Sequence, residues 1–193
     1  MKLSGSYQIK LEKQKVWEAL NDPEILKKTI PGCEEFIKKS ETEFTATATN
    51  KIGPFNASFT GDIELKDLNP PHSYKITGSG NSPVGFANGE ATVSLEDEDN
   101  GTKLTYTVEA NVGGKIAQVG ARLIDMTAKK MADIFFGKFT ELVSNEQGDK
   151  KTIEENENNV EKIQVPTEKK SQNKTLTYIS IAILAAALIY LAI

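Results

Sequence analysis

GGKIAQVGARLIDMTAKKMADIFFGKFTELV, residues 113–143, decides how the rest of the chain must fold. Ile116, Val119, Gly120, Leu123, Thr127, Met131, Ile134 and Leu142 recur at three- and four-residue steps, the spacing of one side of a helix. Arg122, Asp125, Lys129 and Asp133 fall on the other side. Asp125 and Lys129 stand in the acid-before-base, i, i+4 order that supports an exposed helical face. Gly113-Gly114 predicts the turn into this helix. A helix of roughly 28 residues is about 42 Å long. It cannot bury its own apolar stripe, so the preceding chain is predicted to supply a sheet that covers it.

That preceding chain alternates. In residues 2–11, Leu3, Gly5, Tyr7, Ile9 and Leu11 share one side, and Lys2, Ser4, Ser6, Gln8 and Lys10 the other, which predicts a strand with one wet face. Glu12–Leu20 reads as a short helix with Val16, Trp17 and Leu20 on its apolar side. Asp22-Pro23 starts a second short helix, running to about Lys28, because Asp caps a helix and Pro suits its first position. Six more strands are predicted near 33–39, 42–50, 55–66, 73–80, 86–95 and 102–111, separated by turn-forming Gly, Pro, Asn and Asp. In 55–66 the residues Phe55, Ala57, Phe59, Gly61, Ile63 and Leu65 face in, and Leu104, Tyr106, Val108 and Ala110 do so in 102–111. Such alternation belongs to antiparallel strands with one solvated face. The expected class is α+β, a domain over residues 1–143 with helices on one face of a sheet.

Composition narrows the function. The chain has 193 residues and a formal net charge of -4, with Lys scattered among Glu and Asp, which argues against nucleic acid as a partner. Cys33 is the single cysteine and His72 the single histidine, so neither an internal disulfide nor a cysteine metal cluster can form. The N-terminal MKLSGSYQIK lacks the apolar core of a signal peptide, which predicts a cytoplasmic domain.

Beyond Val143 the character changes. Residues 144–174 are rich in Asn, Glu and Lys and poor in apolar side chains, which predicts a disordered linker. The final nineteen residues, TLTYISIAILAAALIYLAI (175–193), carry no charge. As a helix they would span about 28 Å, close to the hydrocarbon thickness of a bilayer. Lys169, Lys170 and Lys174 precede them, so the expected arrangement is a single-pass C-terminal anchor in the cell membrane with the domain on the cytoplasmic side. Tyr178 and Tyr190 sit near the two ends, where interface anchors belong.

The inward positions hold many small residues, among them Gly5, Ala46, Ala48, Ala57, Gly61, Gly78, Gly80, Ala87, Gly89 and Ala91. Under a long helix these leave either a cavity or a close helix–sheet approach; the competing reading is that the glycines only let the sheet curve. The cavity reading gives an apolar lining of Phe44, Ala48, Ala57, Phe59, Tyr106, Leu123, Met131 and Phe135, with Tyr7 and Thr127 as hydrogen-bonding groups. Its occupant would be a hydrophobic molecule.

Five stretches carry a family resemblance: VWEALNDPEIL (16–26), IPGCEEF (30–36), IGPFNASFTGDIEL (52–65), GFANGEATVSL (85–95) and GGKIAQVGARLI (113–124). Together they are similar to the CoxG family of carbon monoxide dehydrogenase subunits, and the order of elements resembles the START-like helix-grip (SRPBCC) superfamily. The resemblance implies a seven-stranded antiparallel sheet wrapped around a long C-terminal helix. It also implies a non-catalytic accessory protein that recruits a molybdenum-type carbon monoxide dehydrogenase, or a related oxidoreductase, to the membrane. A charged linker followed by a membrane anchor is a pattern that family shows.

Catalytic chemistry has few candidates. A nucleophile needs a base beside it, and His72 lies in a Pro-Pro turn where a solvent-exposed side chain is expected. Cys33 follows Pro-Gly and reads as a small buried thiol. The glycines at 78, 80, 85 and 89 lack the spacing of a dinucleotide fingerprint. Three functions are weighed: a tethered docking protein, a carrier of a lipophile such as a quinone or lipid with no dehydrogenase partner, and a cyclase- or hydrolase-like enzyme. The third is disfavoured because the inner face carries almost no group able to act as acid or base. No bound cofactor is expected beyond that quinone or lipid.

Overall fold

Period-two alternation yields the strands, and most bury the side that the sequence marks as apolar; β2 is the exception, with a bulge and an exposed Ile37. The structure, a computed structural model, describes the backbone of residues 1–154 and side chains through residue 144. The elements are β1 (Lys2–Ile9), α1 (Lys13–Ala19), α2 (Pro23–Thr29), β2 (Cys33–Lys38), β3 (Glu43–Ile52), β4 (Phe55–Asn69), β5 (Ser73–Ser82), β6 (Gly85–Glu98), β7 (Gly101–Gly114), a 3-10 turn (Lys115–Val119) and α3 (Ala121–Glu154). One antiparallel sheet runs in the order β1-β7-β6-β5-β4-β3-β2. Thus β2 to β7 form a meander, and β1 returns to pair with β7, with Leu3 opposite Val108 and Tyr7 opposite Leu104.

Local chemistry sets the helices as expected. Asp22 accepts backbone N–H bonds from Glu24 at 2.8 Å and Ile25 at 3.4 Å, with Pro23 at the first position of α2. The core is continuous from β1 to α3. Val16, Trp17 and Leu20 of α1 are buried, and Trp17 meets Tyr74 of β5 edge-on at 5.5 Å. From α3 come Ala128, Phe135, Phe136, Phe139 and Val143. Removing a side chain as large as Phe from water contributes about 1.5–3 kcal/mol. The three phenylalanines are therefore the main anchors of α3.

Three expectations change. The long helix starts at Ala121, not Gly113. Gly113 and Gly114 are still strand, paired with Phe86 and Gly85, and Ile116 N–H then bonds the Val84 carbonyl at 3.0 Å. A 3-10 turn and Gly120, at φ 91°, separate strand from helix. The buried face of α3 is also rotated. Leu123, Thr127 and Ile134 lie at its margin, while Ala128, Phe135 and Phe139 point inward. Finally, α3 continues as helix to Glu154, past the boundary expected at Val143. The remainder of the expected linker, 155–174, and the expected anchor, 175–193, lie outside the described residues. Among the described residues no helix is long and apolar enough to cross a membrane.

Candidate ligand site under the C-terminal helix

The ten residues singled out for the inner face come from β1 (Tyr7), β3 (Phe44, Ala48), β4 (Ala57, Phe59), β7 (Tyr106) and α3 (Leu123, Thr127, Met131, Phe135). Phe44, Ala48, Phe59, Tyr106 and Phe135 are buried. Tyr7, Ala57, Leu123, Thr127 and Met131 are half-buried, so the helix covers the sheet incompletely on this side. Ala48 and Phe59 stand opposite each other across β3 and β4.

Tyr7 and Tyr106 are brought together around Phe136. The Tyr7 ring stacks on Phe136 with centroids 4.0 Å apart, Tyr106 lies 5.8 Å from Phe136, and the two tyrosine rings are 6.2 Å apart. Phe135 meets Phe136 edge-on at 5.0 Å. Gly5 makes this possible, since a Cβ there would sit 2.7 Å from the Tyr106 hydroxyl oxygen. The Tyr7 hydroxyl donates to Asp133 Oδ1 at 2.5 Å. Burial, and then the Asp133 carboxylate, push the Tyr7 phenol well above its usual range. Burial also raises Tyr106, against a smaller opposing influence of the neighbouring Tyr7 hydroxyl. Thr127 is committed elsewhere: its hydroxyl donates to the Leu123 carbonyl at 2.5 Å.

Phe136 and Asp133 were missed from sequence. A signal existed, because Asp133 stands three residues before Phe136 and therefore on a neighbouring strip of the helix. The small inner residues do not all open space. A Cβ on Gly61 would strike the Ser79 carbonyl oxygen, and one on Gly89 the Glu109 carbonyl oxygen. Those two glycines let adjacent strands curve closely past each other.

A separate groove of about 1030 Å³ crosses the opposite face of the sheet. Of the ten inner-face residues only Phe44 borders it. Its walls are solvated charged side chains such as Lys2–Glu109, paired at 2.7 Å, and Lys39–Asp62, paired at 2.8 Å. Lys39, followed by a hydrogen bond from Thr45, holds the Asp62 carboxyl below its usual range, which marks an ion pair rather than a proton-transfer group.

His72 is exposed in the β4–β5 turn, where its N–H bonds the Asn69 carbonyl at 2.7 Å. Cys33 is half-buried with its thiol toward the Glu35 carbonyl, and burial pushes it up to about 11, against the pull of Lys27. Among the described residues no three His, Cys, Asp or Glu side chains gather as a metal site.

The family model for CoxG, a subunit of carbon monoxide dehydrogenase, matches residues 5–144. None of the curated proteins matches the chain. Among solved structures, a conserved protein from Geobacillus kaustophilus is similar at 34% identity and a TM-score of 0.72, over 75% of this chain and 96% of that one. An uncharacterized protein from Rhizobium leguminosarum (17% identity, TM-score 0.58, 75% of this chain and 95% of that one) shares the fold. So does a protein from Thermus thermophilus (15% identity, TM-score 0.58, 75% of this chain and 98% of that one).

Proposed function

Because this chain belongs to the CoxG family of carbon monoxide dehydrogenase subunits, we propose that it is a non-catalytic accessory protein that brings a cytoplasmic oxidoreductase to the cell membrane. The partner would be a molybdenum-type carbon monoxide dehydrogenase or a related enzyme. The observation that carries this reading is the order of the chain: a family domain over residues 5–144, then a polar stretch, then nineteen uncharged residues at 175–193. The tail is the tether and the domain is the adaptor. In the described domain the groups able to do acid–base or nucleophilic work are poorly placed for it. Cys33 holds its proton at neutral pH, and Tyr7 and Tyr106 are pushed further from ionisation.

The same domain would hold a hydrophobic ligand such as a quinone. Support comes from the half-open apolar margin of Ala57, Leu123 and Met131. Without a dehydrogenase partner the chain would be a lipid or lipophile carrier of the START-like superfamily. One experiment separates the readings. Full-length protein is purified from membranes in mild detergent, and both co-purifying proteins and extracted lipids are identified by mass spectrometry. An oxidoreductase in stoichiometric amount supports the adaptor. A bound lipophile without an oxidoreductase supports the carrier, and substrate turnover by the pure protein would end the non-catalytic reading.

A further inference from the structure

We infer that one end of the domain is a docking surface for an anionic lipid bilayer. The meander puts alternate turns at opposite ends of the sheet, and the β3–β4 turn, the β5–β6 turn and the 3-10 turn after β7 share one of them. Three contacts hold these turns together. Gly85 pairs with Gly114, Ile116 N–H bonds the Val84 carbonyl at 3.0 Å, and a Cβ on Gly53 would lie 3.2 Å from Leu123.

The chemistry of this end differs from that of the whole chain. At this end residues 51–61, 77–89 and 110–124 contain no Asp or Glu, in a chain whose net charge is -4. Within the first and last of these runs lie the exposed cations Lys51, Lys115 and Arg122. Seven other lysines, Lys2 and Lys75 among them, form ion pairs, whereas these three form none among the described residues. Interleaved with them are apolar side chains at or near turn tips. Phe86 is 41% exposed, Pro54 and Pro83 are exposed, and Phe55 and Val84 are half-buried; Met126, 61% exposed, follows the exposed Asp125 on α3. The opposite end carries Glu96, Asp97, Glu98 and Asp99 around the β6–β7 turn.

Apolar tips flanked by unpaired cations match an anionic interface, where the rings and aliphatic groups enter the headgroup region and the cations meet lipid phosphate. A protein partner would need a complementary acidic and apolar patch, and nothing in the chain specifies one. This end also holds the half-open margin at Leu123, so docking would present the inner face to lipid. The inference deepens the membrane-adaptor reading but does not depend on the tail being an anchor.

The test uses the full-length chain with Cys33→Ser, carrying a fluorophore at Gln118→Cys in the 3-10 turn or, as control, at Asp99→Cys. Vesicles of brominated phosphatidylcholine and phosphatidylglycerol are the quencher, and carbonate extraction is scored on the same samples. The expected result is strong quenching at position 118 and little at 99. It should disappear at high ionic strength, and also when Lys51→Glu, Lys115→Glu and Arg122→Glu are combined, with circular dichroism unchanged. Equal quenching at the two positions, or insensitivity to the charge reversal, overturns the inference. Burial of position 118 only when an oxidoreductase is added also overturns it, by assigning the end to a protein partner. Carbonate extraction reports the tail alone. A protein that is extracted yet quenched at 118 loses the anchor and keeps the docking surface.

Discussion

At Tyr7 two demands meet on one side chain: the ring must stack on Phe136 and the hydroxyl must find an acceptor at the rim of the core. Asp133 supplies that acceptor from α3, so the bond ties the first strand to the last helix. Tyr7→Phe keeps the ring and removes the bond, and should cost about 0.5–1.5 kcal/mol in a thermal or denaturant melt. No loss at all would mean that the bond is exchanged with water at no net gain. The phenols also set an alkaline limit. Tyr7, Tyr74 and Tyr106 all have raised values, each chiefly through burial. A raised value in the folded state stabilises the fold fully below the unfolded tyrosine value of about 10, and that stability is lost as pH rises beyond it. Phenolate absorbance from these three should therefore appear together with loss of the near-ultraviolet circular dichroism. Titration of all three near the ordinary value in a folded domain would contradict their burial. Cys33 follows the same logic. With its thiol pushed up to about 11, alkylation of the native protein should be slow at neutral pH and accelerate only in alkali.

Among the elements, α3 shows how far periodicity can be read and where it misleads. The strands were legible because a one-residue slip turns every side chain over, so Phe55 to Leu65 admits only one inward set. The helix was legible in kind but not in phase. Its apparent stripe began at Ile116, which belongs to a 3-10 turn of about three residues per turn, and Gly120 then breaks the chain before the α-helix starts. Carrying one phase across that break rotated the expected face from Ala128 and Phe139 toward Leu123, Thr127 and Ile134, although Phe135 was placed inward correctly. Mutational cost distinguishes the two faces. Phe135→Ala and Phe139→Ala should each cost about 3–5 kcal/mol, because both side chains are fully enclosed. Met126→Ala, at 61% exposure, should stay within about 0.5 kcal/mol. A small loss at Phe139 would restore the face that the sequence suggested. The aromatic cluster was half legible for a related reason. Tyr7 and Tyr106 stand on inward strand positions, but Phe136 and Asp133 depend on the helix phase that the 3-10 turn conceals.

At the scale of the molecule, the question is whether the inner face is open to a ligand or already filled, and two alanines answer it differently. Ala48 is wholly buried, opposite Phe59, whereas Ala57 is half-buried, opposite Asn50. No composition argument could separate them, because both are small inward residues on neighbouring strands. Their difference follows their place in the sheet: Ala57 lies nearer the β3–β4 turn, at the end of the sheet, than Ala48. Ala48→Leu should be destabilising by about 1–3 kcal/mol, as overpacking is in a filled core. Ala57→Phe should cost less, since part of its side chain can reach the open margin, yet it would fill the space proposed for a lipophile. Both variants are made in a chain ending at Glu154, because the helix continues to that residue and a cut at Val143 would fall within it. Melts and titration with a hydrophobic fluorescent probe give the readout. The expected pattern is a folded Ala57→Phe domain that no longer binds probe, beside a weakened Ala48→Leu domain that still does. If both variants are strongly destabilised and the parent domain binds no probe, the core is packed throughout. The family role would then rest on docking alone.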